Sequence, residues 1–159
     1  MAGRIAERVD ELDRTIARIR ESIFELHAED ASSAAVRRRL TEVVRSVTDG
    51  HGVRAALQVR SEVEELPRDL VPDLVAVVRE LVTNVVRHAQ ASRVTVTVTV
   101  DAEVRVVVTD NGVGLPAVAV RSGLTNLADR AERHGGRLTT STGPKGTQIR
   151  WNVPMPRGD

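Results

Sequence analysis

The sequence predicts an α+β fold: a two-layer sandwich of helices and a mixed, mainly antiparallel sheet, preceded by one long heptad-patterned helix. Three observations predict it. Apolar residues recur at helical spacing in three segments before residue 90. From Val94 the period drops to two, in VTVTVTV, and a second alternating run of Val104, Val106 and Val108 follows a short turn. Helices grouped with an antiparallel or mixed sheet give a two-layer α/β sandwich.

Residues 4–27 read as one helix. Ile5, Val9, Leu12, Ile16, Ile19, Ile23 and Leu26 recur in alternating steps of four and three, an unbroken heptad seam flanked by Arg, Glu and Asp. So narrow a seam suits packing against another helix better than docking on a sheet. AEDASSA, residues 28–34, is small and polar and reads as a linker. Residues 35–48 carry Val36, Leu40, Val43, Val44 and Val47 on one helical face, and Gly50 and Gly52 stop the helix. Residues 53–60 read as a strand. Pro67 and Pro72 bracket a turn into a helix over 73–89. The strands at 94–100 and 104–108 meet at Asp101-Ala-Glu, Thr125–Arg133 is helical, and Leu138–Thr142 and Gln148–Val153 form a last hairpin around Gly143-Pro-Lys-Gly. Residues 154–159 read as a tail.

Composition narrows the function classes. The chain has 159 residues, 41% hydrophobic and 28% charged, enough for one cored domain and an appendage. Phe24 and Trp151 are the only aromatic residues, so stacking platforms for single-stranded nucleic acid are lacking. A net charge of +1 with interspersed signs argues against a strongly electrostatic nucleic-acid or membrane partner. One lysine, Lys145, stands against 22 arginines, which reflects the base composition of a GC-rich bacterium. No cysteine is present, so disulfides, thiolate metal sites and cysteine nucleophiles are excluded. There is neither a transmembrane-length apolar run nor a secretory signal, which leads to the expectation of a cytoplasmic fragment without membrane contact.

The segment ELVTNVVRHA, Glu80–Ala89, carries the first chemical signal. On a wheel of about 100° per residue, Leu74, Val78, Leu81, Val82, Val85 and Val86 share one arc. Asp73, Glu80, Asn84, Arg87 and His88 share the other. A solvated face would do the same, but Asn84 is discordant, because its amide competes for backbone hydrogen bonds and weakens a helix interior. For zinc, His88 is the one good ligand here. Magnesium fits better: it takes hard oxygen donors, keeps waters, and is shared with substrate phosphates.

Three more segments follow. DNGVG, Asp110–Gly114, places an acid at a strand end before two glycines, a turn that permits close backbone approach. In SGLTNL, Ser122–Leu127, a glycine precedes a helix whose free N–H groups can face an anion. Gly143-Pro-Lys-Gly-Thr is a glycine-rich turn entering the last strand. No GxxxxGK(S/T) loop and no GxGxxG is present.

Taken in order, these four segments resemble the ATP-binding domain of the histidine kinase, gyrase, Hsp90 and MutL superfamily. ELVTNVVRHA resembles its N box and DNGVG its DxGxG box. SGLTNLADRAERHGG resembles the GLxN(L/M)xxRAxxxGG form of sensor kinases that partner NarL-type response regulators. KGTQIRWNVP resembles the closing GTxxxxxxP segment. The resemblance spans about residues 35–156 and implies the Bergerat ATP-binding fold. SGLTNL and the short lid also resemble the actinobacterial haem-GAF hypoxia sensor kinases.

The resemblance implies a role for each position. Asp110 would accept a hydrogen bond from the adenine amino group. Asn84 would ligate Mg2+ between the phosphates, and Glu80 would help hold the hydrated metal and act as the catalytic carboxylate. Arg87, His88 and Lys145 would lie near phosphate. Gly112, Gly114, Gly123 and Gly146, with Leu124, would line the nucleotide site, and Thr147 would support the adenine side. Residues 1–30 resemble the second helix of a dimerisation and phosphotransfer hairpin, which implies a homodimer. Residues 31–156 would then be the catalytic domain and 157–159 a tail.

Two features depart from a complete kinase. The acceptor histidine of this family precedes an acidic residue, and His27, His51, His88 and His134 do not. The acceptor is therefore expected upstream, outside this chain. Only Val113–Ser122 separates the two glycine regions, a lid short enough to imply weak ATP affinity. Competing expectations are an anti-sigma-factor serine kinase, which lacks a heptad helix leading in, and a degenerate nucleotide-binding or dimerisation module without phosphoryl transfer.

Overall fold

The computed structural model describes residues 11–19, 30–115 and 117–157. It divides into two compact units, Met1–Asp30 and Ala31–Asp159. In the first, residues 11–19 form helix α1, on which the seam residues Leu12, Ile16 and Ile19 are exposed. Ile5, Val9, Ile23 and Leu26 of the heptad seam, and His27, lie outside the described residues.

In the second unit the chain is held from its first residue. Of the expected linker, Ala31–Ser33 is fastened to the domain: Leu66 N donates to Ala31 O at 2.9 Å and Ser33 N to Glu64 O at 2.8 Å. Ser33 Oγ donates to Val63 O at 2.6 Å. The small polar residues serve a helix start, because Ser32 Oγ accepts from Ala35 N at 3.2 Å. Helix α2, Ser33–Thr48, then buries Ala35, Val36, Leu40, Val43 and Val44 on one stripe.

Strand β1, Arg54–Ser61, forms one edge of a five-stranded sheet ordered β1-β2-β3-β5-β4. It runs parallel to β2, Arg93–Val100, and every other pairing is antiparallel. Strand β3 is Glu103–Asp110, so Asp110 stands at the end of the strand, as its sequence position predicts. Strands β4, Arg137–Gly143, and β5, Gly146–Pro154, form the last hairpin, with Pro144 and Lys145 at its tip. The alternation sets the two faces. Val94, Val96, Val98 and Val100 are buried while Thr95, Thr97 and Thr99 are half-buried on the other side. Trp151 fills the centre of the inner face, and its indole N–H donates to Leu127 O at 3.2 Å, which satisfies its one polar atom.

Helix α3, Leu70–Asn84, starts three residues before the expected position. Pro72 lies in its first turn, where a missing N–H breaks no helical bond. The helix does not run evenly to Ala89: Val85–Ala89 is a π turn, closed by Gln90 in the left-handed region at φ 50°. Helix α4, Ala117–Arg133, is longer than the expected 125–133. Gly123 lies inside it, so it does not expose free N–H groups at a helix start. The sequence misleads here because glycine punctuates most helices, yet one interior glycine costs only about 1 kcal/mol. Helix α2 packs beside β1, α3 over β3, and α4 against β4 and β5.

Candidate functional site

The α3 helix sets the first wall. Glu80 and Asn84 are four residues apart and share a face; Glu80 is exposed and Asn84 half-buried. Gly123 of α4 faces both. A methyl group placed on Gly123 would lie 3.7 Å from Glu80 Oε1, 3.7 Å from Asn84 Nδ2 and 4.0 Å from Asn84 Oδ1. These are ordinary contact distances, so the ligand-free fold has room for a side chain there. Leu124, next along α4, is buried.

The π turn sets the second wall. It widens the helix at a point where such turns often mark functional sites, and Arg87 and His88 are exposed on it. Its last carbonyl, Ala89 O, accepts from Val113 N at 2.9 Å. A Cβ on Gly112 would sit 2.0 Å from that oxygen, so the DNGVG loop can lie here only as glycine.

Asp110 is 7% exposed, and its Oδ1 accepts from Gly112 N at 2.8 Å. On β5 it faces Thr147, which is buried. Gly146 packs on the Asp110 carbonyl at φ 134°, and a Cβ there would lie 2.0 Å from Asp110 O. Gly114 packs on the hairpin, where its Cβ would lie 2.8 Å from Gly143 O. Lys145 is exposed at the tip of that hairpin.

The structure therefore brings the four segments together: Gly123 faces Glu80 and Asn84, Ala89 touches Gly112 and Val113, Asp110 meets Gly146 and Thr147, and Gly114 packs on Gly143. Sequence reasoning missed two supports. Asn111 Oδ1 accepts from Ser92 N at 3.1 Å and Arg93 N at 2.9 Å, tying the loop to the start of β2. Thr142 Oγ1 lies 2.9 Å from Thr147 Oγ1 and accepts from Leu115 N at 3.1 Å, tying it to β4. The Asn111 role was available as a turn signal; Thr142 carries none. A cavity of about 340 Å³ near Arg45, Asp49 and Arg54 includes none of the site residues.

A charged cluster joins α3 to α4. Asp73, 15% exposed, takes Arg130 Nη1 on Oδ1 and lies 2.7 Å from His134 Nε2 through Oδ2; Arg133 stands 3.6 Å away. Burial raises the Asp73 pKa. The His134 and Arg130 hydrogen bonds and the charges of Arg130 and Arg133 outweigh it, leaving the carboxyl below its ordinary value.

Among the described residues no three His, Cys, Asp or Glu side chains converge as a metal site. The hard oxygens of Glu80 and Asn84 suit a cation whose remaining ligands come from a phosphate and water.

Residues 69–157 match the family model for histidine kinase-, DNA gyrase B- and HSP90-like ATPases. The nitrate/nitrite sensor protein NarX of Escherichia coli K12 is 35% identical over 135 residues, which cover 71% of this chain and 22% of NarX. The sensor histidine kinase YxjM of Bacillus subtilis is 29% identical over 119 residues, covering 73% of this chain and 29% of that protein. NarS of Mycobacterium tuberculosis is 25% identical over 97% of this chain and 37% of its own length. The chain thus spans well under half of these curated relatives. Among solved structures, the blue-light activated histidine kinase of Erythrobacter litoralis EL346 superposes with a TM-score of 0.61 at 20% identity, over 79% of this chain and 42% of that one. The histidine kinase AdeS of Acinetobacter baumannii gives 0.63 at 15% identity, over 94% and 81%. At these identities the structural likeness establishes the fold. No helix among the described residues is long and apolar enough to cross a membrane.

Proposed function

The chain belongs to the histidine kinase-, DNA gyrase B- and HSP90-like ATPase family, and on that premise we propose that it is the ATP-binding catalytic part of a sensor histidine kinase. It binds Mg-ATP and transfers the γ-phosphoryl to a histidine other than its own four, for relay to an aspartate of a NarL-type response regulator. Helix α1, residues 11–19, is part of the second helix of the dimerisation hairpin in a homodimer.

Gly123 carries this reading. A glycine inside a helix costs about 1 kcal/mol relative to alanine, and the ligand-free fold does not require one there. A side chain there would touch one carboxylate and one carboxamide, the donors that suit Mg2+ shared with a triphosphate. Bound there, the metal offsets phosphate charge. The chain's own residues do the rest. Asp110 accepts from the adenine amino group. Thr147 supports it. Arg87, His88 and Lys145 face phosphate as charge partners. Glu80 orients groups near the γ-phosphate. The attacking imidazole nitrogen forms a bond to the γ-phosphorus as the bond to the β-bridging oxygen breaks and ADP leaves, so the protein contributes positioning and electrostatics.

Radiolabelled ATP supplied to this chain alone, and with a separate polypeptide bearing the acceptor helix, tests the transfer. Label is expected on the added polypeptide only. Label on this chain alone would overturn the assignment of the acceptor, and label on neither would favour a nucleotide-binding module without transfer. With a short segment between the glycine regions, ATP affinity no tighter than micromolar is expected, and a tighter calorimetric Kd would contradict that.

A further inference from the structure

Asp73, Arg130 and His134 lie at one end of an antiparallel helix pair whose other end is the candidate site. Asp73 and Asn84 are eleven residues apart on α3, and His134, in the turn just past the end of α4, is eleven residues from Gly123 within α4. Eleven helical residues rise about 16 Å. The ion cluster and the Gly123–Asn84 contact are therefore two fixed points on the same pair of helices, one at each end.

The chemistry of the cluster fixes both rotation and register. Its carboxylate uses each oxygen for a different partner: Arg130 takes Oδ1, and His134 takes Oδ2 at 2.7 Å. Arg130 in the last turn of α4 and His134 in the turn directly after it both reach the same carboxylate. A slip of α4 by one turn, or a rotation by one residue, would break both contacts together. Each group also suits its own helix: Asp73 lies in the first turn of α3, and Arg130 and Arg133 in the last turn of α4, where the helix dipole favours them. At 15% and 19% side-chain exposure, Asp73 and His134 are screened poorly by water, so loss of one partner is not made good by solvent.

We propose that Asp73, Arg130 and His134 are positioning residues: a charged clamp that sets where α4 lies against α3, and thereby how much room Gly123 leaves beside Glu80 and Asn84. This rests on the reading of that space as the Mg-nucleotide site. A clamp of this kind lets the packing of α4, some 16 Å from the clamp, govern nucleotide affinity without any contact between Asp73 and the nucleotide.

Three variants separate positioning from stability alone. Asp73→Asn keeps the length and removes the charge. Asp73→Glu keeps the charge and lengthens the side chain by one methylene. His134→Gln keeps a hydrogen-bond donor and serves where Asp73→Asn does not fold. Mg-ATP affinity is measured well below each melting temperature, together with the amide chemical shifts of Gly123 and Asn84 in the ligand-free protein. Asp73→Asn, or His134→Gln in its place, is expected to weaken Mg-ATP binding about tenfold. Asp73→Glu is expected to melt within a few degrees of the parent yet bind several-fold differently. All are expected to shift the Gly123 and Asn84 amides. Unchanged amides in folded variants, or altered melting with parental affinity, would overturn the clamp. Shifted amides in a protein that binds no nucleotide would leave the clamp standing and remove the nucleotide reading instead.

Discussion

Gly146 and Gly123 both belong to the candidate site, and the fold makes opposite demands on them. Gly146 is held at φ 134° against the Asp110 carbonyl, where a Cβ would approach to 2.0 Å. Gly112 is under the same constraint from Ala89 O. These glycines are required by the protein's own packing, and they lock the DNGVG loop between the π turn and the last hairpin. Gly123 is different. It sits within a helix, where a Cβ would meet Glu80 and Asn84 at ordinary contact distance, and the ligand-free domain would be more stable with alanine there. A glycine that packing demands explains itself. One that packing does not demand, beside a carboxylate and a carboxamide, points to something absent from the protein alone.

That contrast can be broken at several points. The largest effect is expected from Gly146→Ala, which combines a steric clash with an unfavourable φ and should cost about 3 kcal/mol or more; urea unfolding measures it, and a cost under 1 kcal/mol would contradict the packing at Asp110. Asn84→Ala should leave the fold intact and weaken ATP binding roughly ten- to a hundredfold in Mg2+, the scale of a lost charge-assisted contact, while binding without the metal changes little. Binding that stays Mg2+-dependent would remove Asn84 as a ligand. Gly123→Ala should stabilise the ligand-free protein by up to about 1 kcal/mol and weaken Mg-ATP binding about tenfold as the methyl group fills the space. Stabilisation with unchanged affinity would return Gly123 to a purely structural role.

The smallest effect is set by pH. The Asp73 carboxyl is held below its ordinary value of 3.8, so it contributes stability above that pH and loses the contribution as pH falls through its lowered value. Asp73→Asn should therefore be less stable than the parent at pH 7 by about 1–2 kcal/mol, discounted because Arg130 is 35% exposed. The gap should close below pH 3.8. A gap constant with pH would show that the charge is not the cause.

What the sequence disclosed depended on the range of the signal. The change from helical to twofold period at Val94 gave β2 and β3, because alternation on a half-buried strand is local. Asn84 stood out because it is a poor choice for a helix interior. The order of the strands was not legible: β1 exposes much of both faces, and its parallel partner lies beyond a helix. The start of α4 is hidden in the sequence because Gly123 resembles a helix boundary. The clamp was invisible because Asp73 and His134 are 61 residues apart, and each looks like an ordinary surface charge until the helices are brought together. Ser32 and Ser33 read as linker because capping residues and loop residues are the same types.

The most direct measurement is a calorimetric titration of the chain with ATP and Mg2+, repeated with Asp110→Asn. Asp110 Oδ1 already accepts from Gly112 N, and asparagine can keep that bond through its own carbonyl, so the loop should survive the change. The expected result is saturable binding by the parent and none by the folded variant. Equal binding by the two proteins, or none by the folded parent, would contradict the assignment of this site to an adenine nucleotide.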